Sequence, residues 1–174
     1  MPKNYINDYD VTAGNNTDIG GVNIAEGCPP SSINNAIREE MSHLKAWKNE
    51  HDVGADVVST TALPVNVAGA FHDVTGTVTV TSLAAITNDG SKIKYLQFDA
   101  ALTLTHHATD LILPGGNNIT TAAGDIAVFY EYASGDWRLA AYQYANGGYV
   151  FASTGAGELV RLESTEAGSA AGPD

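Results

Sequence analysis

Apolar residues recur at Ile33, Ile37, Met41, Leu44 and Trp47, with spacings of four, four, three and three. That recurrence marks one face of a helix with 3.6 residues per turn. Arg38, Glu39, Ser42, Lys45 and Asn49 fill the opposite face with polar groups, so the pattern predicts one amphipathic helix over residues 31–53. Pro29 and Pro30 stop the extended lead, Ser31 or Ser32 stands where it can cap the first free amides, and Asp52-Val53-Gly54 ends the run. A lone helix of this length is marginal in water unless its apolar face finds a partner. The stripe can pack on the rest of its own chain or on copies of itself around an axis. The second is the sharper expectation, which makes Ile33, Ile37, Met41, Leu44 and Trp47 the candidate oligomer interface.

After the helix the period changes from 3.6 to 2. "FHDVTGTVTVTSLAAI" alternates Val74, Val78 and Val80 with Thr77, Thr79 and Thr81, as a half-buried strand does. "KIKYLQFDAALTLTH" supplies two more strands, with Ile93, Tyr95 and Gln97 on one face and Lys94, Leu96 and Phe98 on the other. "DLILPGGNNITTAAGD" is an apolar run broken at Pro114-Gly115-Gly116. "IAVFYEYASGDWRLAAYQY" reads as a hairpin turning at Ser134-Gly135-Asp136. In that hairpin the polar Glu131 assigns Phe129 and Glu131 to the outer face and Tyr130 and Tyr132 to the inner one, with Trp137 in the core. Strands at about ten-residue intervals without helices between them predict an antiparallel sandwich or barrel-like domain.

Four segments follow: an extended arm over 1–30, the helix over 31–53, an antiparallel β-domain over 54–146, and a C-terminal hairpin and tail over 147–174. The fold class is therefore mainly β, with an N-terminal arm and one helix in front. The arm is rich in turn formers ("TAGNNTDIGGVNIAEG"), yet Tyr5, Ile6, Tyr9, Val11, Ile19, Val22 and Ile24 are more apolar side chains than a solvating linker carries. It is expected to become ordered by lying on another surface, a neighbouring subunit above all.

Charge removes several classes of function. Twenty acidic residues against eight basic ones give a net charge of −12. That balance excludes a phosphate-backbone reader, which needs clustered Lys and Arg, and gives no attraction to an anionic membrane. No apolar run approaches the ~20 residues that span a bilayer. The start, "MPKNYINDYD", lacks a charged region followed by an apolar one, so the chain is expected to be made in the cytoplasm. The single cysteine, Cys28, has no activating neighbours and reads as structural.

Nothing in the sequence assigns a reaction. No phosphate-binding glycine loop, zinc-protease motif or nucleophile elbow occurs. His106 and His107 are adjacent, so on a strand they point to opposite faces and do not share a metal. Asp125 and Asp136 lie beside glycines, where acids form turns more often than a glycosidase pair. Trp137, Tyr130, Tyr132, Tyr142 and Tyr144 would suit a sugar-stacking platform, but at alternate hairpin positions packing is their commoner use. No enzyme, cofactor or metal is expected.

Two long stretches add a resemblance. "VTAGNNTDIGGVNIAEGCPPSSINNAIREEMSHLKAW", residues 11–47, resembles the lead module of tailed-bacteriophage fibre and related virion proteins, in the pattern NIAEG-C-x-P-S-x-INN-x-IR-x-x-M. "LTHHATDLILPGGNNITTAAGDIAVFYEYASGDWRLAAYQ", residues 104–143, resembles a β-module of the same proteins, through LILPGG-x-NITTAAGD and G-x-WR-x-x-x-Y. The resemblance implies a structural virion protein, fibre-like and mounted through its N-terminal region. Its implied partners are two further copies in a homotrimer and other tail or capsid proteins. At 174 residues there is no extended shaft or large tip, so a short tail appendage, a head fibre or a capsid decoration is implied alongside a tail fibre. A carbohydrate-binding module holding host surface glycan is the alternative from another class.

Overall fold

The structure is a computed structural model that describes residues 2–87 and 90–148, with the backbone of 150–152 and 159–161. Its lead is folded by local polar chemistry. In a 3-10 turn at Ile6–Asp8, the Asp8 carboxylate accepts hydrogen bonds from the amides of Asn4 and Tyr5 at 3.0 and 3.1 Å. The Asp10 carboxylate gathers the Thr12 amide and the Asn15 side chain at 2.7 and 3.0 Å. Strands β1 (Asp18–Ile19) and β2 (Val22–Asn23) form a hairpin closed by Gly20 and Gly21, both at positive φ, 56° and 82°. Two consecutive left-handed residues make this a turn that L side chains strain.

Helix α1 (Pro30–Glu50) follows. Proline at the first helical position loses no intrahelical bond, because that N–H has no partner anyway. Pro29 occupies the cap position and no side chain caps the helix, so Ser31 and Ser32 are first-turn residues rather than the expected caps. The helix stops at Glu50, three residues short of the predicted end, and a Lys48–Asp52 ion pair closes its last turn.

The β-domain begins as a coil. β3 (Val57–Val58) and β4 (Ala62–Leu63), β5 (Phe71–Thr75) and β6 (Ser82–Leu83), β7 (Ile93–Phe98) and β8 (Thr103–Leu104) form three successive strand–corner–strand units. β3, β5 and β7 stack in parallel on one wall. On the other wall β4 and β6 pair in parallel, and a parallel bridge joins Val80 to Leu104. β9 (Leu111–Ile112), a 3-10 turn at Pro114–Gly116 and β10 (Ile119–Thr120) lead to the hairpin of β11 (Ile126–Ala133) and β12 (Asp136–Gln143). The main sheet runs β3-β5-β7-β11-β12-β9. β13 (Val150–Ala152) and β14 (Leu159–Arg161) pair antiparallel, as their sequences predict, while the turn between them and the tail lie outside the described residues.

The mainly β class with one leading helix is the observed one. The pairing differs in detail: three of the five neighbouring pairs in the main sheet, β3–β5, β5–β7 and β12–β9, are parallel. Period-2 alternation reports burial and is silent on partner direction. The cause of the coiling is local. The alternation through Val74, Val78 and Val80 is interrupted at Gly76, which has φ 83° and sits against Ser59. The chain turns a corner there, with the Val78 amide donating to the Ser59 hydroxyl at 3.0 Å. Val74 and Val80 consequently point into the core from different walls while Val78 stays exposed.

The core fills the space between the walls with Leu63, Val74, Leu96, Phe98, Leu104, Phe129 and Trp137, among others. Here the hairpin faces are reversed from expectation. Phe129 and Glu131 point inward, Tyr130 is half-buried and Tyr132 is exposed. Glu131 is tolerated inside because its carboxylate accepts from the Ile86 amide at 3.0 Å, the Gly135 amide at 2.8 Å and the Lys92 ammonium at 2.5 Å. A fully bonded buried carboxylate has no unmet demand for water. Trp137 is fully buried, as predicted.

Candidate assembly surface

Helix α1 has one covered and one open long face. The covered face is occupied by the chain's own arm, whose first 3-10 turn and β1–β2 hairpin lie against the helix. The Tyr9 hydroxyl lies 2.6 Å from Nδ1 of His43, the one buried residue of the helix. Gly20 meets Glu39 so closely that a Cβ there would stand 2.9 Å from its carboxylate oxygen. Ile19 is buried beneath the β1–β2 hairpin.

The open face is the apolar stripe. Ile33, Ile37, Met41, Leu44 and Trp47 are 45% to 64% exposed. The structure therefore gathers all five predicted interface residues on one surface. Among the described residues, the chain's own β-domain does not cover them. A shallow groove of about 450 Å³ runs along the upper half of this face, lined by Ile19, Ile24, Cys28, Ile33 and Ile37. Five large apolar side chains are left half in water here, and each would gain roughly 1 kcal/mol or more from completing its burial.

The helix is clamped to the β-domain at its exit. The Gly54 amide donates to the Phe71 carbonyl and the Ala70 amide to the Asp52 carbonyl, both at 2.8 Å, around a parallel bridge between Val53 and Phe71. Gly54 and Gly69 cross here, and a Cβ on Gly54 would lie 2.5 Å from the Ala68 carbonyl oxygen. The buried His72 ring places Nδ1 2.8 Å from the Ala55 carbonyl and Nε2 3.0 Å from that of Gly69. The fully buried Lys94 donates to the carbonyls of Val67 and Gly69. Its burial lowers the ammonium pKa, and the charge of Glu50 opposes that shift. This clamp was not legible as a unit in the sequence. Its one signal was Lys94 alternating onto the same face as Leu96 and Phe98.

Several of the other candidates are tied into the fold by hydrogen bonds or packing. His106 Nδ1 accepts from the Leu113 amide at 3.1 Å, and His107 Nδ1 from the Asp110 amide at 3.1 Å, so each fastens its own loop. Asp125 is buried and accepts from the Ala122 amide, the Ala145 amide and the Tyr142 hydroxyl at 2.8, 2.9 and 2.6 Å. Burial, and then the neighbouring Asp125 carboxylate, push the Tyr142 phenol up. Trp137 and Tyr142 are inside the core and offer no platform to a sugar. Among the described residues no group of three His, Cys, Asp or Glu side chains is placed to hold a metal, and no helix is long and apolar enough to cross a membrane.

No protein-family model, curated protein or solved structure matches the chain.

Proposed function

We propose that the chain is a structural component of a tailed-bacteriophage particle, fibre-like, mounted through residues 1 to about 50 and displaying its β-domain outward. The observation that carries the self-assembling part is the exposed stripe from Ile33 to Trp47, an apolar surface that the described residues leave open. Three copies sharing an axis would close it as coiled helices do, and a polar outer face with the arm folded on it suits such a bundle. The phage context rests on the resemblance of residues 11–47 and 104–143 to virion modules. The clamp at Gly54 and Gly69 gives the projecting domain a fixed angle to the helix, which suits a display element. A head fibre or capsid decoration protein has the same requirements and is the close variant of this reading.

The test is to image particles made with and without the gene by electron cryo-microscopy. Threefold density fitting this helix and β-domain, present only when the gene is intact, is the expected result. Identical particles in both preparations would overturn the proposal. Binding of the purified chain to host surface glycan, with no density on the particle, would favour the carbohydrate-binding reading instead.

A further inference from the structure

The outward face of the main sheet is also uncovered among the described residues. On β5, β7 and β11 the outward residues align in rows: Phe71 beside Tyr95 and Val128, then Asp73 beside Gln97 and Ile126. The Phe71 and Tyr95 rings stack with centroids 4.5 Å apart and planes 15° from parallel. Val53, Phe71, Tyr95 and Ile126 line a depression of about 310 Å³, and Ile93 and Val58 extend the exposed apolar surface beside it.

We infer that this sheet face is buried against a second copy of the same chain, continuing the helix contact into the β-domain. The inference rests on the proposed self-assembly through the helix stripe. Continuity is the first support. The stripe ends at Trp47, whose ring lies 4.7 Å from that of His51; Val53 follows two residues on and bridges to Phe71. Area is the second. Helix stripe and sheet face together present eleven large apolar side chains that are 37% to 79% exposed, six of them on or beside the sheet. A stable pair buries ~800 Å² on each partner, which suits the wider surface better than the stripe alone. Charge is the third. Copies carrying −12 each repel one another, so a lasting contact has to form where charge is sparse. In the two rows across the sheet Asp73 is the one charged residue, and Asp56 is the one further carboxylate lining the depression.

Hydroxyl-radical footprinting of the full chain, beside an Ile37→Asp variant, tests this directly, with the oligomeric state of each followed by light scattering. An assembled wild type with the Tyr95 peptide protected several-fold relative to monomeric Ile37→Asp is the expected result. A Phe71→Ser, Tyr95→Ser double variant is expected to raise the half-dissociation concentration at least tenfold. An assembled wild type whose Tyr95 reacts as fast as in the monomer would overturn the sheet contact and leave the helix contact standing. A monomeric wild type would overturn both. A double variant that assembles normally but no longer adsorbs to host cells would show the stacked rings to be a recognition platform instead.

Discussion

Replacing Trp137 with Ala measures how much of the β-domain is held by one side chain. The indole is fully buried on β12, opposite Glu131 of β11 and beside Leu111 of β9, so it joins the hairpin to the edge strand. Removing a large aromatic from such a site costs about 3–5 kcal/mol, from lost transfer energy and the cavity left behind. Among the described residues its Nε1 has no hydrogen-bond partner, so the substitution forfeits no hydrogen bond seen here and packing carries the cost. For a chain of this size each kcal/mol lowers the melting temperature by roughly 2–4 °C, which gives a fall of about 6–20 °C. Circular dichroism melts at matched protein concentration read this, since assembly would make the midpoint concentration-dependent. Trp137→Phe serves as control: it keeps most of the apolar volume, removes the unpaired donor and should cost clearly less. An Ala variant melting within a degree or two of wild type would refute the assignment of Trp137 to the core.

Four further outcomes follow from the same geometry. Gly54→Ala should destabilise by about 1–3 kcal/mol, because its Cβ meets the Ala68 carbonyl and the His72 ring, whereas Gly14→Ala, with nothing within 4 Å, should be neutral in the same melt. Glu131→Ala should cost roughly 2–3 kcal/mol by leaving the Ile86 and Gly135 amides unpaired, and a cost near zero in urea unfolding would place Glu131 on the outer face after all. Tyr142→Phe should lose about 1.5–3 kcal/mol by removing the donor to buried Asp125, read in the same way. The Tyr142 phenol is raised above its unfolded value near 10, so its contribution is complete below about pH 10 and is lost as pH climbs further; Tyr142→Phe should lose less stability than wild type over that alkaline range.

The helix and the final hairpin were legible because each is local. Spacing from Ile33 to Trp47 defines a helical face, and Ser134-Gly135 between alternating runs defines a turn. The hairpin's inner face was misassigned by treating Glu131 as a solvent marker. Two hydrogen-bond partners from distant segments, the Lys92 ammonium and the Ile86 amide, join the nearby Gly135 amide to make the carboxylate a core residue, and no local pattern announces the distant pair. Parallel coiling was illegible for a similar reason. It depends on which strand lies beside β5, and only a corner at Gly76 hints that the chain winds instead of folding back. For the assembly surface, the five stripe residues came directly from periodicity. The Phe71–Tyr95 stack did not, since it joins strands more than twenty residues apart.

Molar mass by light scattering at micromolar concentration tests the central claim most directly. Wild-type chain should weigh three chains of 18.1 kDa, and Ile37→Asp, which would bury a charge in the bundle at a cost of several kcal/mol, should weigh one. A wild-type mass of 18.1 kDa, or an Ile37→Asp variant as large as wild type, would contradict assembly through the helix stripe.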